Sequence, residues 1–487
     1  MRNYTAALFI LMLCKTVSAQ APLIWQQTYG TTSIEKGYGV RSCLDQGYIA
    51  AGTTSATGPT DGYIVRTDSL GLVIWSRFYG GVNIDIIRAI EILPDSGFII
   101  AGYTNSFGNG GYDGWLMKID KNGDTLWNKY VGTNDWDFFY DVALTLDSGF
   151  ICTGATYGTG NGNEDLYLVK FDKYGDTMWT RTYGGNRSEE GHCVVQTEDT
   201  LYGVAGFTES YNDTLGDSWV LYLEQNGDTI WTRTAGYTAT EDRAYGIAYD
   251  SIVNTFFICG TVFPGGNQEG YWSGLFYTGS SWTTFTVTGS DDEALYKIIS
   301  KHGLTLFASA GTRGSSGSGG YDMYIFSSHN GWCTNTYGTV EPDEAYDIDF
   351  THDGGFILCG YTEGYGSLMP NLYLVKADTN CQSTNIVSVE ENAVYIPQTG
   401  KLHVYPNPAD DVLNCNLILA ESNNVQLVLY NTLGEVVYEE RLAKSQFNEM
   451  HSASVQIPTS ALPAGIYYCS AIDDNGIVTS ERILIAR

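Results

Sequence analysis

Basic residues are scarce in this chain: 25 Lys and Arg stand against 55 Asp and Glu in 487 residues, a formal charge of −30. A surface so acidic repels phosphate backbones, which argues against nucleic acid as a partner. Cations, basic partners and neutral glycans remain open. Histidine is also sparse: His192, His302, His329, His352, His403 and His451 share no helical or ligand spacing. No G-x-S-x-G elbow, Walker loop or H-E-x-x-H pair is present, so the commonest nucleophile, nucleotide and zinc-protease signatures are missing. No C-x-x-C occurs, and no His stands beside a Cys at metal spacing, which argues against a zinc site. Long apolar runs are lacking too. Ala6–Cys14 is too short to cross a bilayer. With Arg2 before it and Val17-Ser18-Ala19 after it, this run reads as a secretory signal, residues 1–19, cleaved after Ala19. Cys14 follows a leucine, a poor lipoprotein box, so a soluble mature chain is expected, with no transmembrane span.

What the chain has is glycine, tyrosine and a repeat. Gly numbers 57 and Tyr 36, a composition suited to strands joined by tight turns. Trp25, Trp75, Trp127, Trp179, Trp231, Trp282 and Trp332 stand 50, 52, 52, 52, 51 and 50 residues apart, which marks one unit copied seven times. The third copy shows four strand runs: Tyr140–Leu146, Phe150–Thr156, Leu166–Asp172 and Thr177–Tyr183. Asp/Gly turns separate the first from the second and the third from the fourth. Four antiparallel strands per repeat, seven times over, predict an all-β, seven-bladed β-propeller spanning 20–380. The segment 22–29 has the pattern of a fourth strand with nothing before it, and the last repeat lacks its fourth. The first strand is therefore expected to complete the last blade, closing the ring and removing an open edge.

After a polar linker, 381–400, residues 401–487 show about seven short strands with the alternation of a small Ig-like β-sandwich. The segment opens on Val404-Tyr405-Pro406-Asn407-Pro408, carries Leu429-Tyr430-Asn431-Thr432-Leu433-Gly434 in its middle, and continues with Leu462-Pro463-Ala464-Gly465-Ile466-Tyr467-Tyr468. These three spaced motifs resemble the type A C-terminal sorting domain of the type IX secretion system of Bacteroidetes and related bacteria. The resemblance implies that Tyr405, Pro406, Asn407, Pro408, Gly434, Gly465 and Tyr467 belong to the sorting fold, and that the type IX machinery is a partner. It implies passage of the cargo through the outer membrane, usually followed by cleavage and by release or attachment to surface lipopolysaccharide.

Nine cysteines remain after Ala19. Cys152, Cys259 and Cys359 sit in apolar strand patterns and read as small buried thiols. Disulfides are allowed in an exported chain, and Cys333–Cys381 and Cys415–Cys469 are the pairs to test first.

An acid stands three residues before the leading Tyr, Arg or His of strand 1 in every repeat: Glu35, Asp85, Asp137, Glu189, Asp242, Glu293 and Asp343. A second set precedes strand 3: Asp61, Asp113, Asp165, Asp217, Glu269, Asp322 and Asn371. Repeated carboxylates at strand starts can accept turn N–H groups, or they can converge on a hard cation such as Ca²⁺. Asp120-Lys121-Asn122-Gly123-Asp124 opens like a calcium loop but lacks its twelfth-position Glu and recurs in other repeats, so it reads as a hairpin. The D-x-x-G-D-T-x-W pattern resembles the Asp-box of sialidase-like propellers and the Trp repeats of quinoprotein-like ones, and both motifs are structural in those families. His192 replaces a Tyr at a repeat position and reads as core or inter-blade. Trp115 and Trp219 read as blade packing rather than sugar platforms. The extra acids Asp135, Glu190 and Asp292 break the repeat without singling themselves out. The function expected is a secreted or cell-surface, non-enzymatic scaffold or binding module whose ligand is a glycan or a protein. The alternative is an extracellular polysaccharide-active hydrolase or lyase using carboxylates at the channel mouth. No cofactor is expected beyond possible calcium.

Overall fold

Strand pairing in the computed structural model resolves the repeat into blades. It describes residues 24–485 except 32, 212–214, 238, 265, 288–291, 302–305, 315–319, 366–368, 385–399, 406–411, 420–424, 432–435, 448–451, 461, 464 and 474–475. The signal segment, most of the linker, and Pro406, Asn407, Pro408 and Gly434 therefore lie outside the described residues. The chain divides into two units, up to Ile386 and from Val387.

The first unit holds seven four-stranded antiparallel sheets among the described residues. Six are consecutive in sequence. The seventh is Asp343–Phe350, Phe356–Thr362 and Asn371–Ala377 completed by Trp25–Tyr29, with Trp25 opposite Lys376 and Tyr29 opposite Leu372. The clasp expected from the orphan first strand is thus present. Burial grades outward across each blade. In the third blade Phe150–Thr156 and Asp165–Phe171 are buried throughout, whereas Thr177–Tyr183 has no buried residue and is half-buried to exposed. The core lies between neighbouring blades: Ala101 and Leu116 of the second blade pack with Phe139, Val142, Phe150 and Phe171 of the third.

The Asp-x-x-Gly-Asp segments are hairpin turns. Asp120 Oδ1 accepts the Asn122 and Asp124 amides at 2.8 and 2.9 Å, and Gly123 takes φ 85°. Each turn is gripped by the preceding blade. Trp25 Nε1 donates to Ser69 O at 3.0 Å and Trp231 Nε1 to Tyr277 O at 2.8 Å. Tyr29 and Tyr79 hydroxyls donate to Gly71 O and Gly123 O, both at 2.7 Å. The tryptophan period is therefore a blade-stitching period.

Two of the seven tryptophans depart from it. Strand pairing puts Thr283 and Cys333 where the other blades carry Trp, and Trp282 and Trp332 stand one residue earlier. Cys333 bonds Cys381, which occupies the turn-glycine position and accepts the Tyr337 hydroxyl at 2.8 Å. A disulfide replaces Trp-on-turn packing where the sixth blade meets the closing one.

The inner strand of the third blade departs from expectation, running over Asp137–Leu144 and so starting on the acid. Six of the seven inner strands start in this way, and the fifth starts one residue after its acid, at Arg243. Acids are poor strand formers, but here all seven carboxylates are buried, and six of them accept an amide from the preceding turn. In all seven blades a register shift follows three residues later, leaving one residue unopposed: Tyr38, Arg88, Tyr140, His192, Tyr245, Tyr296 and Tyr346. These are β-bulges, which bend a strand and re-aim a side chain.

The second unit is a two-sheet sandwich. One sheet holds Gly400–Tyr405, Val412–Leu419 and Ser452–Pro458; the other holds Val436–Leu442, Val425–Asn431, Gly465–Asp473 and Gly476–Ile485. Leu402, Leu413 and Ile457 of the first meet Leu427, Leu429, Tyr467 and Ile483 of the second in one core. Tyr467 is buried and donates its hydroxyl to Pro463 O at 2.9 Å. Cys415 and Cys469 face each other in that core with their sulfurs 3.9 Å apart, not as the disulfide proposed for them. Cys152, Cys259 and Cys359 are buried and free.

Candidate ligand site in the central channel

The seven bulged residues converge on one cavity of about 330 Å³ at the hub of the propeller. They touch in sequence around a closed circle. Tyr140 stacks on His192 at 5.9 Å between ring centroids, His192 meets Tyr245 at 5.0 Å, and Tyr245–Tyr296, Tyr296–Tyr346 and Tyr346–Tyr38 each follow at 5.2 Å. Arg88 closes the circle, its guanidinium 4.5 Å from the Tyr38 ring and 5.8 Å from that of Tyr140. His192 therefore lines the channel and does not fill a core, because the bulge turns it inward.

The circle is almost uncharged. Burial pushes the phenols of Tyr140, Tyr245, Tyr296 and Tyr346 above their ordinary value, so they remain neutral O–H groups. Burial lowers the His192 imidazole to about 4 and keeps it neutral at physiological pH. Beneath the circle the carboxylates that line the cavity are paired. Asp347 takes Arg41 at 2.6 Å, Asp141 takes Lys297 at 3.3 Å, and Glu190 takes Arg243 at 3.0 Å. Burial would raise Glu190, but His192 and Arg243 outweigh it and hold the carboxyl below its ordinary value. Burial would lower Lys297, yet Asp141 beside it raises it overall. Glu190 thus stands out from the symmetry-breaking acids. Asp292 accepts the Gln268 amide at 2.9 Å in a loop, and the Asp135 amide donates to Thr133 Oγ1 at 3.1 Å.

The acid ring does not face this cavity. Glu35, Asp85, Asp137, Glu189, Asp242, Glu293 and Asp343 are all buried between blades. The preceding turn supplies an amide, Thr31 N to Glu35 at 3.1 Å, Gly81 N to Asp85 at 2.7 Å, Thr133 N to Asp137 at 2.6 Å and Gly185 N to Glu189 at 2.8 Å, and the end of the second strand adds hydroxyls such as Thr54 to Glu35 and Thr208 to Glu189. Tyr237 N reaches Asp242 and Thr339 N reaches Asp343, both at 2.6 Å, while Glu293 faces Arg313 at 3.9 Å. The second acid set lies beside the first across the same boundaries. A side chain on Gly80, Gly132, Gly184, Gly236 or Gly338 would overlap one carboxylate of each set. Among the described residues no three His, Cys, Asp or Glu side chains form a metal-ligating group.

Such pairs repel. Burial, eased by bonds from Thr362 and Thr339 and reinforced by Asp322, raises Asp343 to about 6. Because its folded value exceeds the usual 3.8, the folded state holds an extra proton between about pH 4 and 6, so this group's contribution falls as pH rises through that window. At the last boundary Asn371 stands in place of the second acid, beside Glu35. Asp322→Asn copies that arrangement. It is expected to raise the melting temperature at pH 7 by about 2 °C, with the gain gone at pH 4, as read by calorimetry across pH.

Trp115 and Trp219 are each 3% exposed and pack blades, as expected. Trp332, 56% exposed, lies on the outer wall beside Trp272 and Phe326. The channel circle itself was not expected from the sequence. Its signal lies in the second strand of each blade, where Gly52, Gly102, Gly154, Gly206, Gly260, Gly311 and Gly360 sit against a backbone oxygen of the bulged strand.

Comparison with known proteins bears on the two units separately. Residues 403–486 match the family model of the secretion system C-terminal sorting domain. A search of curated proteins returns no match. Solved structures similar to the chain include the β-propeller domain of the Trilobed protease from Pyrococcus furiosus, at 12% identity, TM-score 0.42, covering 74% of this chain and 99% of that one. The Neurospora crassa Pan2 WD40 domain aligns at 9% identity, TM-score 0.42, with 74% and 99% covered. The Pyrococcus horikoshii acylaminoacyl peptidase aligns at 10% identity, TM-score 0.44, with 80% and 59% covered. The sorting domain marks the chain for type IX export to the cell surface or the extracellular space.

Proposed function

We propose that this exported propeller is a non-enzymatic binding protein that takes its ligand, a glycan or protein segment, into the central channel. The observation that carries the reading is the closed circle of bulged residues around one cavity. Seven bulges re-aim seven side chains to one place, and five of those are tyrosines that offer an aromatic face and a hydroxyl. The pairing of Asp141, Glu190 and Asp347 with cations supports binding over hydrolysis, since glycoside cleavage needs one carboxyl held protonated beside another held ionised.

The test is a glycan and peptide array with a parallel hydrolysis screen on the purified full chain. Retention without turnover is the expected result, and turnover of any polysaccharide would transfer the site to the hydrolase reading. Calcium is assigned no role here, because six acids of the first ring each accept a turn amide and the seventh, Glu293, faces Arg313. Chelation with EGTA is accordingly expected to leave the melting temperature unchanged, whereas a bound ion would make it fall.

A further inference from the structure

Arg88 is the exception in the circle. Its place is held by Tyr in five blades and by His in one. Among the described residues it forms no ion pair. The carboxylates lining the cavity are already engaged by Arg41, Lys297 and Arg243. Arg88 Nε is buried without an acceptor, and the guanidinium is held between the Tyr38 and Tyr140 rings. A stacked guanidinium keeps its N–H edge free for a bidentate partner. A buried donor left without one carries a desolvation cost that a ligand oxygen would remove.

We propose that the channel recognises a carboxylated sugar, with Arg88 gripping the carboxylate and the tyrosine hydroxyls reading the neighbouring hydroxyl groups. This rests on the channel-binding reading above and adds the ligand class. The overall charge of −30 narrows the class further. A polyanion would be repelled by the surface as a whole, whereas a short glycan with a single uronate unit meets little repulsion and finds an unpaired cation at the hub. A cavity of about 330 Å³ suits one or two sugar rings.

The test is titration calorimetry of the full chain with glucuronate- and galacturonate-capped disaccharides, their neutral glucose and galactose counterparts, and short peptides with free C-termini. The parent and Arg88→Tyr are compared, the variant carrying the residue that five blades already accommodate. The parent is expected to bind a uronate-capped sugar at least about tenfold more tightly than its neutral counterpart. Arg88→Tyr is expected to abolish that preference while leaving the melting temperature within about 2 °C of the parent. Equal affinity for charged and neutral sugars would overturn the proposal and leave the channel-binding reading standing. A uronate preference that survives in Arg88→Tyr would also overturn it, as would binding of the peptides alone or of none of these ligands. Turnover of the sugars would instead strike the non-enzymatic reading.

Discussion

Replacing Gly154 with alanine is expected to cost about 3 kcal/mol of stability and to abolish ligand retention. Gly154 lies in the second strand of the third blade, opposite Phe139 and directly before the bulge at Tyr140. A Cβ there would overlap the Phe138 carbonyl oxygen. That oxygen is backbone in a buried ladder and has no rotamer to escape into. The strand must either part from its neighbour or flatten the bulge, and flattening swings Tyr140 out of the circle. Urea unfolding measures the first consequence and ligand retention the second. Gly320→Ala is the control, since its nearest neighbours leave ordinary clearance at 3.5 Å and more. Equal tolerance of both substitutions would mean that the bulge is not held in place as described.

Deleting residues 24–29 is expected to remove at least about 5 kcal/mol. Trp25 and Tyr29 are buried on the closing sheet, worth about 2 kcal/mol each. Five residue pairs connect the strand to Asn371–Ala377, and each ladder hydrogen bond contributes about 1 kcal/mol net. Gln26 adds a buried contact to Tyr365 and Tyr373. The deletion also exposes the edge of Asn371–Ala377, a template for pairing with another chain. Aggregation on warming should therefore accompany the fall in stability, as read by light scattering beside circular dichroism. The Cys333–Cys381 bond should persist in the truncated chain, because the sixth blade and the closing turn hold it without the clasp strand. An unchanged melting profile would show that the ring does not depend on its clasp.

The blade plan was legible because it rests on local patterns: apolar strands, Asp/Gly turns and a fixed period. Phe150–Thr156 and Thr177–Tyr183 stand at the bounds their sequence predicts. The clasp was legible from a strand left over at one end and one missing at the other. The acid ring was legible as a repeat, and its capping role followed from the preference of carboxylates for turn amides. The channel circle was not legible from the inner strands, because a bulge changes the direction of a side chain without changing the residue. Tyr38 and Tyr346 carry the same letter as tyrosines that pack cores. The glycines of the second strands did carry the signal, since an isolated glycine inside a strand marks a bulge or a close backbone approach. Trp332 misled for a related reason: its spacing fits the period, yet Cys333 holds the ladder position.

Hydroxyl-radical footprinting of the full chain, with and without a retained ligand, tests most directly whether the channel is the working site. Protection is expected to fall on Tyr38, Tyr140, Tyr245, Tyr296 and Tyr346 together, with Trp332 on the outer wall unchanged. Protection confined to the outer wall, with the channel tyrosines labelled as before, would contradict the channel assignment.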